Sequence, residues 1–292
     1  MSVPGELNGW DLAGVAGATA LACGYGVGLA RLWRRAGVGA GVPRWAAASA
    51  AAGIVALLAG LGPPLAPLAD LRFAAHMGQH ELLMLVAAPL LALGRPLLVL
   101  LWALPPRWRA RVGDEVRRPA AVAAWRRITT PVAVLAQQAA VLWFWHARGP
   151  FEAALAHDGL HAVQHLTFFV SAALFWWALV YGRFGRLGYG AGVLVVFATA
   201  AHCGLLGALL TVARTPWYPT HAARDLAHGV DALADQQLAG LLMWVPAGLV
   251  LLVACLALFA AWLGEIGRRG ERSTTAELLR DAVSAAPATE SR

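Results

Sequence analysis

The fold predicted is all-α: a polytopic membrane protein with seven transmembrane helices, its N-terminus outside and its C-terminus cytoplasmic. Three observations predict it. Mean hydropathy is +0.61, with 59% hydrophobic and 13% charged residues, where a soluble domain carries roughly 25% charge. Seven apolar runs approach the ~20 residues that cross a bilayer. The basic residues, 23 in all and every one an arginine, sit in short segments between those runs.

The first run, 12–32, follows MSVPGELNGWD, which carries Glu6 and Asp11 but no arginine. A signal peptide needs a basic start and a cleavage site, so this start reads as an uncleaved, non-cytoplasmic N-terminus. The second and third runs are 45–62 and 73–93. The third meets Gly94-Arg95-Pro96, and proline there predicts a kink or an end near residue 94. The apolar LLVLLWAL that follows lies at the interface or extends the helix. Runs 128–147, 160–181, 188–213 and 238–263 complete the set. Residues 1–264 form one transmembrane domain. Residues 265–292 are polar, end in small residues, and read as a largely disordered cytoplasmic tail with a short helix at 274–284.

Arginine placement sets the orientation. With the N-terminus outside, the inner segments hold 18 arginines and the outer segments four, namely Arg72, Arg148, Arg214 and Arg224, with Arg95 at a boundary. Positive charge collects on the cytoplasmic side, which fixes the N-out, C-in assignment. The same placement removes nucleic acid as the partner implied by a pI near 10.3; the lipid bilayer is the partner instead. Cys23, Cys203 and Cys255 each lie in an apolar stretch, without a CxxC, and give no disulfide framework.

In this topology the nine histidines gather on the outer side. His76 and His80 open the third span, His146 ends the fourth, His157 lies in the next loop, and His161 and His165 open the fifth. His202 lies about 16 Å below the outer end of the sixth span, at 1.5 Å per residue, and His221 and His228 fall in the last outer loop. His76 and His80 are four apart and share a helix face, which Met84 continues; His161 and His165 repeat the spacing. Ionisable residues in spans are costly and face a bundle interior or a water-filled cavity. Neutral imidazole suits copper, zinc, iron and nickel, whereas Met77 and Met84 favour Cu(I).

Plainer roles stand beside these. A lone histidine near a helix end, such as His146, His221 or His228, commonly serves as an interfacial hydrogen-bonding group. Met84 alone is commonly helix packing. Cys203, beside His202, is either a soft ligand or a small buried residue. Glu81 points about 100° away from His80, toward another partner or a supporting layer. Gln137 and Gln138 lie midway along the fourth span, and Gln164 precedes His165. Asp235 and Gln236 open the seventh span, where Asp235 either caps the helix or joins a site.

HMGQHELLMLVAAPLLALGRP at 76–96, WFWH at 143–146 with GLHAVQH at 159–165 and FWW at 175–177, and DQQLAGLLMWVPAG at 235–248 together resemble the seven-span CtaG-type cytochrome c oxidase assembly factors of caa-type oxidases. These are distinct from the single-span copper chaperone sharing that name. The resemblance covers about residues 45–263. It implies a non-enzymatic role in the bacterial plasma membrane, with cytochrome c oxidase subunits as partners and copper as the metal handled. It carries over His76, His80, His146, His161, His165, Asp235 and Gln236. WHARGPF at 145–151 departs from the pattern by delaying the expected proline to Pro150.

The sequence-level reading is thus an oxidase assembly factor that binds Cu(I) among outward histidines and passes it on laterally. The alternatives are a b-type haem or quinol-linked protein with His80 and His165 as axial ligands, a copper or proton-coupled transporter, and a metal-free scaffold. The inner halves of the spans lack histidine, which argues against a transport path. No GxSxG, HExxH or phosphate-cradling loop marks an enzyme. Oligomeric state is left open.

Overall fold

The computed structural model describes residues 9–182 and 188–285, with side chains to residue 268. Glu6, Arg183, Arg186 and the last seven residues of the expected tail lie outside the described residues. Among those described there is no strand. The helices are α1 (Gly9–Ala36), α2 (Arg44–Leu61), α3 (Leu65–Leu71), α4 (Phe73–Glu81), a π-helical segment (Leu82–Ala87), α5 (Ala88–Leu93), α6 (Pro96–Ala103), α7 (Pro106–Arg117), α8 (Pro119–Ile128), α9 (Pro131–His146), α10 (Arg148–Ala156), α11 (Asp158–Tyr181), α12 (Gly188–Thr211), α13 (Pro219–Ala227) and α14 (Ala232–Ala285).

Five stretches are long and apolar enough to cross a membrane: α1, α2 with α3, α11, α12, and α14 as far as Arg268. Two bent pairs raise the number to as many as seven. In one, Phe73–Leu93 meets α6 at 65°. The break falls at Arg95, which adopts a left-handed φ of 54° and so ends the ladder before Pro96. The kink expected near residue 94 is there. In the other pair, α8 meets α9 at 61°. Thr130 caps α9 by accepting the Ala133 amide, and Pro131 stands at its first position. The 16 residues of α9 fall short of the ~20 needed to span alone.

The π-helical segment interrupts the third apolar run directly after Glu81. Pro89 accounts for it: proline offers no amide to the carbonyl four residues back and its ring crowds that carbonyl. The ladder widens just upstream, and the Met84 carbonyl accepts Trp176 Nε1 at 2.9 Å. At the far end, α14 runs on as helix through Ala285, past the end of the apolar run at 263.

Two apolar clusters hold the bundle. One joins α4, α9, α11, α12 and α14 around Phe73, Phe168, Trp176 and Met243. The other joins α1, α2, α5 and α6 around Tyr25, Ile54, Leu91 and Val99. Tyr25 hydroxyl donates to the Gly94 carbonyl at 2.7 Å and pins the bent pair to α1. The helix starts of α4 and α11 lie at one end of the bundle, where α10 and α13 close over them.

Candidate metal centre

Helical spacing brings His76 and His80 to one face of α4, and His161 and His165 to the facing side of α11. The four rings meet. His76 lies 4.5 Å from His80 and 5.2 Å from His161, centre to centre; His80 lies 5.0 Å from His165, and His161 4.3 Å from His165. One ligand atom from each of His76, His80 and His161 falls within 4.8 Å of the others. Three nitrogens bound at about 2.0–2.1 Å to one ion stand roughly 3.6 Å apart in a trigonal arrangement, so closing this triangle draws the rings together by about 1 Å.

A fifth ring completes the cage. His221, on α13, is 2% exposed and 5.5 Å from His76. Its loop is tied down on several sides. Tyr218 hydroxyl donates to the His146 carbonyl at 2.7 Å, Thr220 donates its hydroxyl and amide to Glu152, and Arg224 Nη1 reaches the Asp70 carbonyl at 2.8 Å. Burial pushes the His221 imidazole down to about 3, with Arg224 and His161 adding to the effect, so it is neutral at pH 7. The sequence placed His221 among interfacial residues. Its spacing from Asp225, four positions on and also buried, is the signal that it faces inward.

The cage is buried and aromatic-walled. Phe73, Phe151 and Phe168 pack against His221, His76 and His80 at 5.3, 5.5 and 4.7 Å. Both nitrogens of His76, His80 and His221, and Nε2 of His161 and His165, are buried with no hydrogen-bond partner among the described residues. Each orphaned polar group of this kind costs about 1–3 kcal/mol. Such a concentration of lone pairs fits a bound transition-metal ion, for which neutral imidazole is the common ligand.

The other expected residues take separate places. His146 is buried at the end of α9; its Nδ1 sits 2.8 Å from the Leu142 carbonyl and its ring packs on Phe168 at 5.9 Å. Gln164 is buried within α11, with neither amide atom partnered among the described residues. Met77 belongs to the main apolar cluster. Met84 and Glu81 line a small cavity with Cys203. His202 is half-buried, its Nδ1 3.8 Å from Cys203 Sγ. His157 and His228 are exposed.

Asp235 caps α4 rather than its own helix. Its Oδ2 accepts the Ala74 amide at 3.1 Å, whereas Asp231 accepts the amides of Leu233 and Ala234 at the start of α14. Gln236 Oε1 accepts the Trp217 amide at 2.6 Å and holds the loop that leads into α13. These contacts support the cage from behind. An apolar cavity of about 330 Å³ between α1, α2 and α11 reaches His161 and His165.

The family model for the cytochrome c oxidase caa3 assembly factor (Caa3_CtaG) matches residues 23–265. The chain belongs to that family. It is therefore an assembly factor for cytochrome c oxidase, with the oxidase as its partner and several apolar helices suited to a multi-pass membrane protein. No curated protein and no solved structure matches the chain. The family match spans all five cage histidines and every supporting residue named above.

Proposed function

We propose that the chain binds one copper ion, as Cu(I), at His76, His80 and His161, with His165 and His221 as exchange ligands, and passes it to a maturing oxidase subunit. The observation that carries this reading is the ring-to-ring cluster of five buried imidazoles with unpartnered nitrogens. Closed four-ligand sites are typical of structural zinc. A set of five candidate nitrogens around one hub lets ligands be swapped one at a time, which suits release.

Orientation and route complete the proposal. In the bacterial plasma membrane, with seven spans and the N-terminus outside, the cage faces the extracytoplasmic side, as the arginine count favours. The apolar cavity beside His161 and His165 offers a lateral approach for a subunit held in the same bilayer. The role is non-catalytic. The haem alternative fares worse on distance: His80 and His165 stand 5.0 Å apart, edge to face, with no slot for a porphyrin between them.

The test is made on the client. Oxidase is purified from cells in which this chain is replaced by its His76→Ala/His161→Ala variant, and its copper content is measured against wild type. Copper-deficient oxidase at normal levels of the variant protein supports the proposal. Fully metallated oxidase refutes copper delivery and leaves the assembly role to other surfaces.

A further inference from the structure

Beyond the π turns of the third span, and separate from the cage, five helices enclose a cavity of about 30 Å³, room for one small ion or one water. Its walls carry Glu81, Met84, Gln138, Thr199, Cys203 and Met243. Three polar atoms there lack partners among the described residues: Glu81 Oε2, Gln138 Oε1 and Thr199 Oγ1. Gln138 and Thr199 are 5% and 3% exposed. A carboxyl group, an amide oxygen and a hydroxyl around one cavity between apolar helices are retained against a substantial solvation cost.

We infer that this cavity is a second metal site, selective for a soft monovalent cation, Cu(I) by identity. The donors differ in kind from those of the cage. Cys203, Met84 and Met243 bring sulfur, which selects Cu(I) over harder ions. Glu81 brings a single carboxylate. Cu(I) would displace one proton from the Cys203 thiol and Glu81 carboxyl taken together, so the occupied site stays neutral, the condition under which an ion rests in a low-dielectric interior. The small volume excludes a hydrated ion.

Glu81 adjoins His80 in sequence and points about 100° away around the helix. Copper thus has an imidazole station and, on another side of the same helix, a sulfur–carboxylate station. The inference takes the identity of the ion from the copper reading of the cage, but its ligands are a separate set.

The full-length protein in detergent is loaded anaerobically with one and then two equivalents of Cu(I), freed of excess by a competing chelator, and examined by X-ray absorption. Two retained equivalents are expected, with sulfur in the coordination shell. Cys203→Ser/Met243→Leu is expected to retain one equivalent and lose the sulfur signal. Glu81→Gln, which keeps the shape, is expected to lower retention of the sulfur-bound equivalent at least tenfold at an unchanged melting temperature. His76→Ala/His161→Ala is expected to lose the nitrogen-bound equivalent and keep the other. Wild type without sulfur-bound copper, or variants at Cys203 and Glu81 that retain it in full, overturns the second site while the cage stands. Sulfur-bound copper without any nitrogen-bound copper supports the second site and overturns the cage.

Discussion

Asp235, in the first turn of α14, grips Arg72 at the head of α4, its Oδ1 2.8 Å from Nη2 and 3.1 Å from Nε. Its other oxygen accepts the Ala74 amide. One carboxylate thus fixes the last span against the helix that carries His76 and His80. Asp235→Ala strands the Ala74 amide, while the Arg72 side chain, 37% exposed, still reaches water. The expected loss is about 1–3 kcal/mol of stability and about tenfold or more in copper retention, as for other residues that orient ligands. Asp235→Asn keeps an acceptor and loses less. Thermal melts and chelator competition check both; a copper affinity unmoved by Asp235→Ala contradicts the supporting role.

Acid should act through His221. Its folded value of about 3 lies below the usual 6.5, so between those values the unfolded chain binds a proton that the folded chain refuses. Stability from this group is therefore full above 6.5 and falls as pH is lowered toward 3. From pH 7 to pH 5 the loss is about 2 kcal/mol, at 1.36 kcal/mol per unit. Asp225, which burial and Asp235 push up to about 6 from 3.8, works in the opposite sense between those values. Melting wild type beside His221→Gln across this range separates the two, because Asp225 is present in both. Parallel curves contradict a neutral buried His221.

The pairing of α12 with α14 depends on two glycines. A Cβ at Gly207 falls 2.9 Å from the Gly240 carbonyl oxygen, and one at Gly240 falls 2.6 Å from that of Gly207. Close backbone approach of this kind is how helices associate where lipid supplies no hydrophobic drive. Gly240→Ala is expected to cost about 1–3 kcal/mol through overpacking and to loosen the Asp235 grip above it. Detergent melting curves read the first effect and chelator competition the second. An Ala variant as stable as wild type shows that the close approach of the two backbones does not hold this pair together.

His146 separates cage from surroundings. Phe168 packs against both His80 and His146, and the imidazole of His146 is engaged with the Leu142 carbonyl. His146→Ala is expected to leave one copper bound in the cage, whereas His76→Ala removes it. Equal loss in both variants, by metal analysis, draws His146 into the ligand set.

Much of this was legible in sequence because helical periodicity is a local signal. The pairs His76/His80 and His161/His165 announce shared faces by spacing alone, and Gly94-Arg95-Pro96 announces the break. What escaped depends on chain folding back. His221 joins the cage only because Tyr218, Glu152 and Arg224 fold α13 over the helix ends. Asp235 caps a helix far from it in sequence. Met84 falls on the histidine stripe of an uninterrupted helix, but the π turns over Leu82–Ala87 shift the register and it lines the Glu81 cavity instead. Nothing but Pro89 hints at that shift.

The proposed copper delivery requires that the clustered imidazoles hold the ion. It is tested by metal analysis and X-ray absorption of detergent-purified protein after anaerobic loading with Cu(I), beside His80→Ala/His165→Ala. Wild type should retain one nitrogen-bound copper per chain and the variant none. Wild type that retains no copper, or a variant that retains nitrogen-bound copper as wild type does, contradicts it.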